Sequence, residues 1–122
     1  MTILLLGQIP SGKNQQQLLF RNGRVIKYAN KRFVDWRKDA AAQIMRHGVK
    51  GTMAKPVSLA CVYTPGDRRV RDVSGMLDAL FHVLVYSKIL KDDGLIYDVT
   101  WTRLSVSTEP KVDLEISNWE EP

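Results

Sequence analysis

Among 122 residues the chain has a single cysteine, Cys61. No intrachain disulfide is possible, so the fold must be held by its core. Cys61 sits in the apolar run Leu59–Tyr63, and a buried, reduced thiol in a cytoplasmic protein is the expectation. Long hydrophobic runs are missing as well. Stretches such as Ile3–Leu6 and Phe81–Tyr86 fall far short of the roughly 20 apolar residues that cross a bilayer, so no membrane partner is expected. The opening Met1–Leu6 has no basic n-region, and no small-residue cleavage site follows it, so it does not read as a secretory leader. Repeats, linkers and low-complexity tracts are also lacking. With 44% hydrophobic and 25% charged residues, the composition excludes a disordered chain and fits one domain over residues 1–122.

Acid is scarce in one half only. Residues 1–55 carry 11 Lys/Arg against 2 Asp, whereas residues 56–122 carry 7 against 11. The balances of +9 and −4 give the overall +5. A basic half beside an acidic half fits a polyanion-binding surface next to a metal site. The plainer alternative is a solvated basic face without a ligand.

The elements can be read from periodicity. Ile3–Gly7 reads as a strand, and Leu18–Phe20 and Arg24–Tyr28 flank the hairpin signal Asn22-Gly23. Asn30 is placed to cap a helix running to about Arg46, with Phe33, Ala40, Ile44 and Val34, Ala41, Met45 at helical spacing. Trp36 and Arg37 lie at the rim of that stripe. Val57–Thr64 is apolar and β-branched, a buried strand stopped by Pro65-Gly66. Ser74 is placed to cap a second helix to about Tyr86, with Leu77, Leu80, Phe81, Leu84 and Val85 inward. Leu95–Val106 and Lys111–Ile116 alternate as strands around a turn near Thr108-Glu109-Pro110. The sum is a compact α+β domain, a mixed β-sheet with two α-helices packed on one face.

Three constellations carry chemistry. Gly7–Asn14 nearly matches a phosphate-binding loop, but Asn14 stands where Ser or Thr binds Mg²⁺ and no amphipathic helix follows. Lys13 is better read as a contact to a DNA phosphate. Next, Asp67-Arg68-Arg69-Val70-Arg71-Asp72 sets three arginines between two carboxylates, and Lys91-Asp92-Asp93 adds an acidic pair about twenty residues on. Guanidinium groups suit phosphates. Carboxylates tolerate phosphates only with a divalent cation between them, and hard oxygen ligands suit Mg²⁺. A helix of about thirteen residues spans roughly 20 Å, so Asp72 and Asp93 meet only if the loop from Ser87 folds back or a second subunit intervenes. Last, Ser74, Asp78 and His82 form a polar stripe at i, i+4 and i+8. Lys27, Tyr28, Arg32 and Trp36 are candidates for a basic-aromatic surface, or for core.

These residues resemble the RusA-type Holliday-junction resolvases, small Mg²⁺-dependent endonucleases common in phages and prophages. Ile9–Asn14 is similar to the family's N-terminal loop, and Arg68–Leu80 to its arginine-rich approach and Asp-x-Asp-Asn motif. Lys91-Asp92-Asp93 is similar to its acidic pair, and Lys111–Ile116 to its closing strand.

The resemblance implies a homodimer that resolves four-way DNA junctions by paired symmetric nicks. It implies Mg²⁺, with Mn²⁺ as an alternative, held by Asp72 and Asp93 with Asp92 alongside. Lys13, Arg68, Arg69, Arg71 and Lys91 are the expected DNA contacts. The motif departs from the family pattern at Ser74 for the second Asp, Gly75 for the Asn and Asp78 for a lysine. Losing a carboxylate weakens a metal site, but Asp78 stands one turn on along the same helix face and can take the vacated place. The expected metal and catalytic acids are therefore Asp72, Asp78, Asp92 and Asp93. The alternative is a catalytically impaired protein of the same fold that binds branched DNA.

Overall fold

The structure is a computed structural model that describes residues 1–11, 16–21, 24–29, 31–49 and 51–122, with 16–21 and 24–29 described by backbone alone. Its elements are β1 (Thr2–Leu6), β2 (Gln16–Arg21), β3 (Arg24–Ala29), α1 (Lys31–Arg46), β4 (Val57–Thr64), α2 (Val73–Tyr86), β5 (Ile96–Arg103) and β6 (Lys111–Asn118). Four strands form one mixed sheet in the order β1-β6-β4-β5, in which only β4 and β5 run parallel. Parallel neighbours need a crossover, and α2 supplies it. The hairpin β2–β3 forms its own antiparallel ladder, pairing Arg21 with Arg24. The expected Asn22-Gly23 turn and the Asn30 cap fall outside the described residues, as do the side chains of Lys27 and Tyr28.

Alternation decides which face of the sheet is covered. Ile3 and Leu5 lie in register with Leu114 and Val112, which pair in turn with Cys61 and Tyr63. All of these are buried, and they join Phe33, Ala40 and Ile44 of α1 and Met76, Ala79, Leu80, Val83 and Leu84 of α2 in one core. Both helices therefore pack on that face. The opposite face carries Thr2, Ala60, Asp98, Thr100, Thr102 and Glu115, all exposed. Cys61 is fully buried, and burial pushes its thiol up to about 12. No helix among the described residues is long and apolar enough to cross a membrane.

Three expectations from the sequence need correction. The apolar stripe of α1 is narrower than the spacing suggested, since Met45 is 80% exposed. The inward face of α2 is rotated toward Gly75, Met76, Ala79 and Val83, leaving Leu77, Phe81 and Val85 only partly buried. This helix is apolar nearly all round, so periodicity alone could not choose its face. β5 ends at Arg103, and Leu104 and Val106 are exposed rather than part of a strand.

Candidate nucleic-acid and metal site

The start of α2 is fixed by Asp72, not by Ser74. Asp72 has extended backbone, and its carboxylate accepts from the Ser74 amide at 3.3 Å and from the Ser74 hydroxyl at 3.1 Å on each oxygen. An acceptor directly before the first helical residue satisfies an amide that the helix leaves unpaired. Ser74, two residues later, becomes a donor to that cap instead. Asp72 is thus already engaged by its own helix.

The end of α2 explains how the acidic pair returns. Ser87 caps the helix through its amide to Val83 and Val85 carbonyls, and Lys88 takes a left-handed backbone with φ of 61°. The amides of Ile89 and Leu90 then bond back to the Leu84 carbonyl, and both side chains are buried. Met53 holds the returning strand, donating to Ile89 and accepting from the Lys91 amide. The chain consequently runs back beside α2, and Asp78, His82, Tyr86, Lys91, Asp92 and Asp93 line one groove of about 500 Å³. The long separation along the helix is closed at Asp78, but Asp72 is not among the groove's lining residues.

Within the pair, Asp92 caps a single 3₁₀ turn, Asp93–Leu95, by accepting from the Gly94 amide at 3.1 Å. That bond, and a side-chain hydrogen bond with Asp93, hold the Asp92 carboxyl below its ordinary range. Among the described residues no three His, Cys, Asp or Glu side chains cluster closely enough to share a metal ion. A divalent cation does not require three. Mg²⁺ commonly binds through one or two carboxylates plus waters and substrate phosphates, and two adjacent acids facing a groove suit that mode. By donor chemistry, Asp92 and Asp93 fit such an ion, with Asp78 across the groove.

The polar stripe of α2 extends one turn beyond His82, to Tyr86. Ser74, Asp78, His82 and Tyr86 are all exposed along one helix face. His82 packs edge-on against Phe33, with ring centroids 5.1 Å apart, and stacks on Tyr86. Arg37 of α1 reaches its Nε2 at 3.3 Å. A guanidinium only donates, so Nε2 accepts and the ring proton resides on Nδ1. Burial, and then the charge of Arg37, push the His82 pKa down. Arg37, placed at the rim of α1 by its spacing, gave no sequence signal of this contact because the partner lies on another helix.

The arginine loop is less uniformly cationic than its sequence suggests. Arg71 makes a bidentate pair with Asp67, at 2.7 and 3.0 Å, and the Arg69 amide also bonds that carboxylate. Together they hold the Asp67 carboxyl down at about 2. Arg71 is therefore a brace across the loop, while Arg68, Arg69 and the 98% exposed Val70 face solvent. Gln8 anchors the loop's base, accepting from the Gly66 amide and donating to the Tyr63 hydroxyl. The segment leading to Lys13 thus starts beside this loop, although Lys13 itself lies outside the described residues. No family model matches the chain, and no curated protein matches it.

Proposed function

We propose that the protein is a RusA-type, metal-dependent endonuclease that acts on branched DNA as a homodimer. The observation that carries this reading is the convergence of Asp78, Asp92, Asp93 and Lys91 on one groove beside α2. It is supported by the exposed Arg68 and Arg69 on a braced loop and by the basic first half of the chain.

In this reading Asp92 and Asp93 hold Mg²⁺ or Mn²⁺ together with substrate phosphate and waters, and Asp78 lines the same groove without sharing that ion. The ion, when bound, supplies Lewis-acid activation of water and of the phosphodiester. The chain's own groups do the rest. Lys91 faces the same groove and offsets the negative charge of the reacting phosphate. Arg68 and Arg69 contact the backbone and fix the strand's register without reading its sequence, and Lys13 is a further expected phosphate contact. Arg71 acts through Asp67 to keep the loop in shape. A four-way junction has two-fold symmetry, and a C₂ dimer offers matched sites for two nicks.

A second reading, a catalytically impaired protein that binds branched DNA, is favoured by one specific contact. The Ser74 hydroxyl occupies the Asp72 carboxylate where the family pattern has a second acid. Nicking of a synthetic four-way junction with Mg²⁺ and with chelator separates the two. The endonuclease reading expects metal-dependent paired nicks that Asp93→Asn removes while binding persists. Binding without nicks at any Mg²⁺ or Mn²⁺ concentration would leave the impaired reading standing.

A further inference from the structure

At the far end of the α2 stripe from Asp78 sits a cation with no acid beside it. Arg37 is half-buried and has no carboxylate within ion-pair distance among the described residues. Its guanidinium carbon lies 4.5 Å from the centroid of Tyr86 and 5.7 Å from that of Phe33. Its Nη1 meets the unprotonated Nε2 of His82, and its Nε is buried with no hydrogen-bond partner. Ring faces and a neutral imidazole attract a cation but do not cancel its charge. They hold the planar fork rigid, which lowers the entropy lost when it takes an anion.

The surroundings narrow the anion. His82 and Tyr86 belong both to this cluster and to the groove that Asp78, Asp92 and Asp93 line. Carboxylates there repel an acidic peptide, whereas a phosphodiester strand with a divalent cation between is compatible with them. From Asp78 to Tyr86 is eight residues of helix, about 12 Å. One DNA strand advances about 3.4 Å per charge along the duplex axis, so the stripe spans roughly three phosphates. α1 supplies further positive charge, with five Lys/Arg against two Asp in Lys31–Arg46.

We infer that Arg37, held by His82, Tyr86 and Phe33, is a phosphate-binding subsite that seats the DNA strand a few nucleotides from the groove's carboxylates. The identity of the ligand as DNA rests on the function proposed above. Arg37 is a positioning residue, since it is not among the residues that line the groove and reaches it through His82 and Tyr86.

The test is the salt dependence of binding to a fluorescent four-way junction in chelator, for the wild type, Arg37→Gln and Arg37→Lys. Thermal unfolding of each variant confirms that the protein under test is folded. Each phosphate contact contributes about 0.9 to the log–log slope. Arg37→Gln is expected to lower the slope by about that amount, which is an affinity loss near eightfold at 0.1 M relative to 1 M salt. Arg37→Lys keeps a charge for the phosphate and is expected to retain most of the slope. A mere brace between α1 and α2 predicts something else, an unchanged slope in both variants, and that result overturns the inference. So does a wild type that binds no junction at low salt, which overturns the DNA reading with it. Wild-type binding with the expected loss of slope, but no nicking with Mg²⁺, upholds the subsite and refutes the endonuclease reading alone.

Discussion

Asp72 has two claims on it, and substitution can separate them. In the structure its carboxylate caps α2 through the Ser74 amide and hydroxyl, while the family resemblance makes it a metal ligand. Asp72→Ala removes the cap and the charge near the helix N-terminus. The cap is worth about 1 kcal/mol and the charge about 0.5 kcal/mol, so the variant should lose about 1.5 kcal/mol. For a domain of this size that is a fall in Tm of about 5 °C. Asp72→Asn keeps an oxygen for the Ser74 amide and loses only the charge, so its Tm should fall by about 2 °C. Circular dichroism melts measure these shifts, and junction nicking at saturating Mg²⁺ measures the chemistry on the same samples. If Asp72 also holds metal, the Asn variant is inactive despite near-normal stability. An Ala variant that melts with the wild type refutes the capping argument. An Asn variant with normal turnover removes Asp72 from the metal site and leaves the groove acids to carry it.

The remaining predictions concern the site's frame. The Asp67 carboxyl, titrated by NMR, should have its midpoint at about 2, and Arg71→Gln should move it up toward the ordinary carboxylate range. Because this pKa is depressed, the pair's contribution is present above about pH 4 and is lost as pH falls through about 2, so loop contacts should loosen in that window. Lys88→Gly should raise Tm by a few degrees, since glycine adopts the left-handed φ of 61° without the cost of about 1 kcal/mol that a side chain brings there. An unchanged or lower Tm would mean that the Lys88 side chain offsets this strain. Cys61 should resist alkylation in the folded protein at pH 8 and react only on unfolding, because burial holds its thiol up at about 12. Rapid labelling would contradict its place in the core.

Much of the architecture was legible because local patterns agreed with the fold. Val57–Thr64 begins and ends where its β-branched run and Pro65 place it, and α1 ends at Arg46 as its spacing suggested. The mixed sheet with both helices on one face also followed from element order. Less legible were choices among equal options. α2 offered apolar side chains in almost every direction, so only packing against the sheet and α1 selected Met76, Ala79 and Val83 as inward. Asp72 and Ser74 are both good caps, and the choice between them fixed which one donates.

By itself the sequence determined the strands, the helices and the residue types that can handle phosphate and metal. Periodicity and composition act over a few residues, and those features are local. Tertiary structure alone decided which of these residues meet. The left-handed turn at Lys88 and the Met53 bridge send Lys91, Asp92 and Asp93 back beside Asp78, while Asp72 stays with its own helix. Packing of α1 on α2 put Arg37 against His82, 45 residues away. Contacts of that range depend on how whole elements dock, because the side chains that meet belong to different periodicities.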